Sequence, residues 1–248
     1  MRLATLTSGS GSAATFLHGF TQTKESWLPV VESLTVKIEA TLIDAPGHGE
    51  SPVDGRNLSQ AADDVAESMP TGVLVGYSMG ARMALHTALQ YPDKVRGLVL
   101  VSGTPGLRSQ SERADRRTSD EALAKHIEEI GVSQFITEWL SNPMFQGLSA
   151  QVADVPKRNT NTAVGLGNSL RFAGTGTQAP LWDQLKNLHM PVLVITGEHD
   201  QKFTDIGREV AAEIPNCEYH MMSGVGHTCH LEDISQFVHI FEEWFLRL

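Results

Sequence analysis

The segment Gly76-Tyr77-Ser78-Met79-Gly80 is the tightest constraint in this sequence on how the chain can fold. Val73-Leu74-Val75 before it reads as a strand, and Ala81–Gln90 after it as a helix. The chain must therefore turn from strand to helix within a few residues. A turn that sharp is strained, and a side chain at either flanking glycine would collide with neighbouring backbone. Ser78 is then presented at a helix N-terminus, where the helix dipole favours developing negative charge. A serine at an ordinary helix start, with glycines for tight packing, is the plainer alternative. The strand before it and the helix after it favour a reactive serine.

Short apolar runs alternate with longer helical patterns through most of the chain, which marks a mostly parallel sheet covered by helices. Strands are expected at Ala13–Leu17, Ala40–Asp44, Val73–Gly76, Gly97–Ser102 and Val192–Thr196, with a weaker one at Glu218–Met222. Aliphatic runs of this kind suit strands buried on both faces. Helices are expected at Ser59–Ser68, Met79–Gln90, Ile206–Glu213 and Ile234–Leu246. From about Pro105 to Trp182 the alternation stops. That stretch is charged, rich in arginine and helical in period, as in Glu121–Ile130 and Val132–Leu140. The expected architecture is an α/β core formed by residues 1–104 and 186–248. Residues 105–185 form a helical cap that is an insertion, not an independent domain. Such a cap covers the C-terminal edge of the sheet, where open α/β sheets bind ligands.

A serine hydroxyl needs a base to react at neutral pH. A serine on a strand–turn–helix elbow is followed in the chain by an acid and then a histidine. His227, in Gly224-Val225-Gly226-His227, falls after the last expected strand and before the final helix, where the base belongs. His230 is three residues on and is expected to face the following helix start, while His18 and His48 come too early in the chain. The loop Gly197-Glu198-His199-Asp200 offers two acids. Asp200 is the better candidate, since Glu198 lies nearer the strand end and is expected in a buried structural contact. Asp205 is expected to cap the next helix. The oxyanion hole is expected from the backbone N–H groups of Met79, after the nucleophile, and Phe20, in the loop after the first strand. Asp44-Ala45-Pro46-Gly47-His48-Gly49 has no lysine and reads as a structural turn rather than a phosphate loop.

Formal net charge is -10 over 248 residues, which argues against nucleic acid or an anionic membrane as the main partner. An anionic small molecule remains compatible, because a pocket can differ in sign from the surface around it. No apolar stretch reaches the length of a membrane span, and the N-terminus does not read as a signal peptide. With only Cys217 and Cys229, no disulfide framework is expected and the reducing cytoplasm is the expected compartment. A zinc site from Cys217, His220, Cys229 and His230 matches no usual spacing, so no metal and no organic cofactor are expected. Nothing in the sequence calls for an obligate protein partner.

These residues resemble the α/β hydrolases over nearly the whole chain, through His18-Gly19-Phe20, Asp44-x-Pro46-Gly47-His48-Gly49-x-Ser51, the serine elbow and Gly226-His227. A more specific set resembles the 2-succinyl-6-hydroxy-2,4-cyclohexadiene-1-carboxylate synthases of menaquinone biosynthesis. It comprises Thr21 with Trp27, Ala81-Arg82 after the elbow, Glu112-Arg113-x-x-Arg116-Arg117-x-x-Asp120 and Phe135-x-x-x-Trp139. It continues with Arg158-Asn159, Leu170-Arg171-x-x-Gly174-Thr175, Gly197-Glu198-x-Asp200-x-Lys202-Phe203 and His230-Leu231-Glu232. Ala81 departs from a second glycine, and Val101-Ser102-Gly103 lacks an acidic residue before Ser-Gly. The resemblance implies an α/β-hydrolase fold and a lyase that eliminates pyruvate, with Ser78, His227 and Asp200 acting as a base. It implies a polyanionic substrate held by Arg82, Arg116 and Arg158, with Tyr77, Trp139, Lys202 and Phe203 in the pocket. Planar guanidinium groups suit carboxylates, and Arg82 lies one helical turn after Ser78. A serine hydrolase acting on a small carboxylate-bearing ester, or on a carbon–carbon bond, uses the same triad and is the alternative.

Overall fold

A computed structural model describes residues 1–248. Seven strands form one sheet: β1 Thr5–Gly9, β2 Ser12–Leu17, β3 Ile38–Ile43, β4 Gly72–Tyr77, β5 Val95–Val101, β6 Val192–Gly197 and β7 Cys217–Met222. Their order across the sheet is β1-β3-β2-β4-β5-β6-β7. All neighbours pair in parallel except β1, which runs antiparallel to β3 with Thr5 opposite Ile43. The central strand β4 is buried along its whole length, as its unbroken apolar run requires. β1, with sequence TLTSG, lies at the edge and has no fully buried residue. It carries too little apolar signal to be expected from the sequence.

Helices cover both faces. In chain order they are α1 Leu28–Ser33, α2 Leu58–Ser68, α3 Met79–Gln90, α4 Gln110–Ile130, α5 Val132–Leu140 and α6 Ala150–Ala153. There follow α7 Val155–Arg158, α8 Ala163–Ala173, α9 Gln201–Glu213, α10 Cys229–Glu232 and α11 Ile234–Phe245. Side chains of α2, α3 and α9 pack on one face of the sheet around Leu74, Leu98 and Val194. Those of α1, α10 and α11 pack on the other around Phe16, Val75 and Phe241. The Asn57 side chain accepts from the Gln60 N–H, and the Gln60 side chain returns a bond to the Asn57 N–H, so α2 begins on a capping box. No helix is long and apolar enough to cross a membrane.

Between β5 and β6 the chain builds only helices, α4 to α8. They share a small core of their own, in which Ala124 and Ile127 of α4 meet Phe135 and Ile136 of α5 and Leu166 and Leu170 of α8. Arg171 of α8 clamps α4 by bonding both Glu121 and Glu128. Phe20, on the loop after β2, packs edge-on against Trp139 at 5.4 Å and so touches this layer from below. A methyl on Gly103 would lie 2.5 Å from the Ala81 Cβ, so the alanine after the elbow demands a glycine there.

Three local expectations need correction. Helix α9 starts at Gln201, not Ile206, and Asp205 lies inside it, bonded to Gln201 and Arg208 rather than capping. Glu198 is exposed, although it does make a structural contact by accepting the Gly224 N–H at 2.8 Å. His230 does meet Phe237 in the first turn of α11, at 6.0 Å, but it is completely buried, its ring tilted at 4.4 Å against both Trp27 and Tyr77. Its place on α10, one turn past His227, points it into the core.

Candidate active site

Ser78 occupies the turn between β4 and α3 with φ 52° and ψ −105°, a backbone conformation that a residue with a side chain adopts only under strain. The glycines make that turn possible. A Cβ on Gly76 would lie 2.3 Å from the Gly80 carbonyl oxygen, and one on Gly80 would lie 2.3 Å from that of Leu17. The Ser78 N–H donates to the Val101 carbonyl at 2.8 Å, which ties the turn to the end of the neighbouring strand.

His227 Nε2 lies 3.1 Å from Ser78 Oγ, and Nδ1 lies 2.5 Å from Asp200 Oδ2. The three side chains come from the ends of β4, β6 and β7, which the sheet order brings to one edge. Asp200 is the residue before α9, yet its carboxylate faces His227 instead of capping the helix. With Asp200 accepting from Nδ1–H, Nε2 is left as the acceptor for the serine proton. Phe203 packs against the His227 ring at 4.6 Å and limits its rotation. His18 has no such role: its Nδ1 meets the Gly19 carbonyl, and its Nε2 accepts the Ala45 N–H at 3.0 Å, pinning two loops together.

A cavity of about 240 Å³ opens above Ser78, between the sheet edge and the helices α4 to α8. Of the twelve residues singled out from the sequence, eleven line it: Phe20, Tyr77, Ser78, Met79, Arg82, Arg116, Trp139, Arg158, Lys202, Phe203 and His227. Asp200 stands behind His227, outside the cavity, as the partner of its far nitrogen requires. Met79 is the first residue of α3, so its N–H has no acceptor in the helix ladder, and the Phe20 N–H makes no backbone hydrogen bond. Both residues line the serine cavity, and neither N–H has a backbone acceptor.

The cationic groups differ in setting. Arg82 and Arg158 are 9% and 3% exposed. Arg82 Nη1 donates to the Ala173 carbonyl at 2.6 Å. Arg158 Nε donates to the Ala153 carbonyl at 2.7 Å, and its Nη1 to Thr21 Oγ1. Neither side chain bonds a carboxylate. Burial pushes both guanidinium groups down, to about 10, so both stay charged at neutral pH. Arg116 is half-exposed and bonded to Asp120 through Nε at 2.7 Å. Lys202 is exposed at the rim, with Nζ 5.5 Å from the Phe203 ring centre. Burial also raises the Tyr77 phenol, whose oxygen is 3.3 Å from Thr228 Oγ1. No group of three or more His, Cys, Asp or Glu side chains is placed to hold a metal ion.

The cavity also takes in residues that sequence reasoning missed as site residues, among them Gln22, Thr104, Ser169 and Thr175. Ser169 and Thr175 belong to the α8 region and carry no chemical signature in a single sequence. Gln22 follows the Phe20 loop by two residues, and only its folded contacts mark it.

Comparison with known proteins follows the same lines. The alpha/beta hydrolase family model matches residues 16–239. The chain belongs to the alpha/beta hydrolase family. Within it, the chain is 36% identical to a putative 2-succinyl-6-hydroxy-2,4-cyclohexadiene-1-carboxylate synthase of Bacillus subtilis (strain 168), covering 95% of this chain and 90% of that protein. It is 34% identical to the 2-succinyl-6-hydroxy-2,4-cyclohexadiene-1-carboxylate synthase of Salmonella typhimurium, covering 88% and 87%. Among solved structures, MenH from S. aureus superposes with a TM-score of 0.88 at 29% identity over 98% of each chain. The resemblance therefore extends over nearly the whole chain. A malate-bound thermophilic esterase from Thermogutta terrifontis, at 22% identity and a TM-score of 0.85, shares the fold.

Proposed function

We propose that this member of the family is a carbon–oxygen lyase of menaquinone biosynthesis. Its substrate in this reading is 2-succinyl-5-enolpyruvyl-6-hydroxy-3-cyclohexene-1-carboxylate, and its products are pyruvate and 2-succinyl-6-hydroxy-2,4-cyclohexadiene-1-carboxylate. The observation that carries the reading is the pair of buried guanidinium groups, Arg82 and Arg158, which line the serine cavity with no carboxylate bonded to either. A buried guanidinium with no carboxylate bonded to it, only Asp120 near Arg82 and Asp154 near Arg158, is stabilised further when a ligand supplies the missing partner. A substrate with several carboxylates supplies it, and an apolar ester does not.

The change from a 3-ene to a 2,4-diene defines the chemistry. The ring carbon bearing the succinyl group loses its proton, the ring double bond shifts, and the C5–oxygen bond to the enolpyruvyl group breaks. The leaving enolate takes up a proton and becomes pyruvate. Ser78 serves as the base as His227 accepts its proton, and Asp200 stabilises the imidazolium. Negative charge develops on the succinyl carbonyl oxygen, which the Phe20 and Met79 N–H groups receive. No acyl-enzyme forms and no water is added. The proposed setting is the cytoplasm, with a small polyanionic substrate and no obligate protein partner.

Incubation with the enolpyruvyl substrate, with pyruvate followed by a coupled reductase, tests this directly beside a neutral p-nitrophenyl ester. A lost hydrogen bond to a charged group is worth about 1.5–3 kcal/mol. Arg82→Ala and Arg158→Ala are therefore expected to lower kcat/KM for pyruvate release by about ten- to a hundredfold, with a much smaller fall for the ester. Ester turnover without pyruvate release would transfer the site to the serine hydrolases.

A further inference from the structure

Gln22 lies in the turn after His18-Gly19-Phe20 and is 2% exposed. Its Oε1 accepts the Gly19 N–H at 2.8 Å, which fixes the orientation of the amide. The other end, Nε2, is a buried donor with no hydrogen-bond partner in the protein. Gln22 lines the cavity with Ser78, Tyr77 and Arg158. Thr21, its neighbour in the chain, accepts from the Arg158 guanidinium through Oγ1. The same short turn thus orients an unpaired amide donor and holds the cation beside it. Buried polar groups almost always find a partner, so an orphan donor on a residue that lines a ligand cavity marks a contact for the ligand to complete. A carboxylate, with lone pairs on both oxygens, can accept from a guanidinium and an amide together, and the substrate of the reading above carries several.

We propose that Gln22 Nε2 donates a hydrogen bond to a substrate carboxylate in the subsite that Arg158 serves, and so helps the site reject analogues that lack this group. This rests on the anionic-substrate reading above. A site built to bond a polar group discriminates strongly against ligands without it, because its own donor is then left unpaired. The Oε1 contact adds a positioning role, since Gly19 precedes the residue whose N–H serves the oxyanion hole.

Two substitutions separate the donor from the structural contact. Gln22→Glu keeps an oxygen to accept the Gly19 N–H but replaces the donor with a second oxygen that repels a carboxylate. Gln22→Met keeps the length and loses both groups. Each folded variant is compared with wild type in KM and kcat for pyruvate release, and in calorimetric titration with succinate as a small dicarboxylate probe. The expected order of binding is wild type, then Gln22→Met, then Gln22→Glu, the last weaker than wild type by about tenfold or more, with kcat changed less than KM. Binding by Gln22→Met equal to wild type, or by Gln22→Glu no weaker than by Gln22→Met, overturns the assignment. Wild type that releases no pyruvate overturns the lyase reading instead, and leaves the succinate order as the test of Gln22.

Discussion

Acid is expected to unfold this protein earlier than its carboxylates alone require, because burial holds several imidazoles neutral. Desolvation pushes His48 and His230 down to about 3 and His86 to about 4, and it lowers His18 as well. In the unfolded chain these rings titrate near 6.5. As pH falls through about 6.5, the unfolded state gains protons that the native state does not take up, so stability falls with pH. The loss runs from about 6.5 down to the native values near 3 and 4. At pH 5 one such ring costs about 2 kcal/mol, from 1.36 kcal/mol per unit of pH. His48, His86 and His230 together then cost about 6 kcal/mol, comparable with the whole stability of many domains. His230 isolates the effect, since neither ring nitrogen has a hydrogen-bond partner and the ring sits between Trp27 and Tyr77. His230→Phe keeps the stacking and removes the titration. Denaturant unfolding followed by circular dichroism between pH 8 and pH 5 should show a steep loss below about 6.5 in wild type. The slope should be roughly a quarter to a third shallower in the variant. Stability that is flat across this range, or equal slopes in the two proteins, would refute the reasoning.

Ser78→Ala, His227→Ala and Asp200→Asn should each remove most pyruvate-releasing activity with little change in the circular dichroism spectrum. The double variant Ser78→Ala/His227→Ala should lose little more than either single one, because the three side chains act as a unit; additive losses, or near-normal turnover by Asp200→Asn, would contradict the assignment. Activity should survive exhaustive dialysis against a chelator, since no side-chain cluster is placed to hold an ion; loss that one specific ion restores would count against this.

What the sequence reveals and what it hides differ for physical reasons. The elbow is legible because its backbone geometry tolerates only glycine at 76 and 80, and that demand is local. His227 and Asp200 are legible from chain order and from the strands that precede them. Strand β1 is not, because its place rests on pairing with β3, 30 or more residues away, rather than on its own side chains. The start of α9 is hidden because Asp200, the residue where a cap would announce it, faces His227 instead. Gln22 is hidden because its significance lies in one bond made and one bond missing, and neither has a sequence signature.

The parallel sheet also sets the order in which activity can emerge during folding. Ser78 and His227 are 149 residues apart in the chain, yet their side chains must come within 3.1 Å. Apart from the β1–β3 pair, each strand pairing closes a crossover in parallel, and such non-local contacts form slowly because chain entropy is lost before they yield stability. Helices α3 and α4 need only local contacts to begin. Far-ultraviolet signal should therefore return first in a refolding protein and turnover last, once β6 has docked beside β5 and β7 beside β6. Recovered activity thus reports completion of the whole sheet, and a truncation that frees β7 removes catalysis without touching the serine.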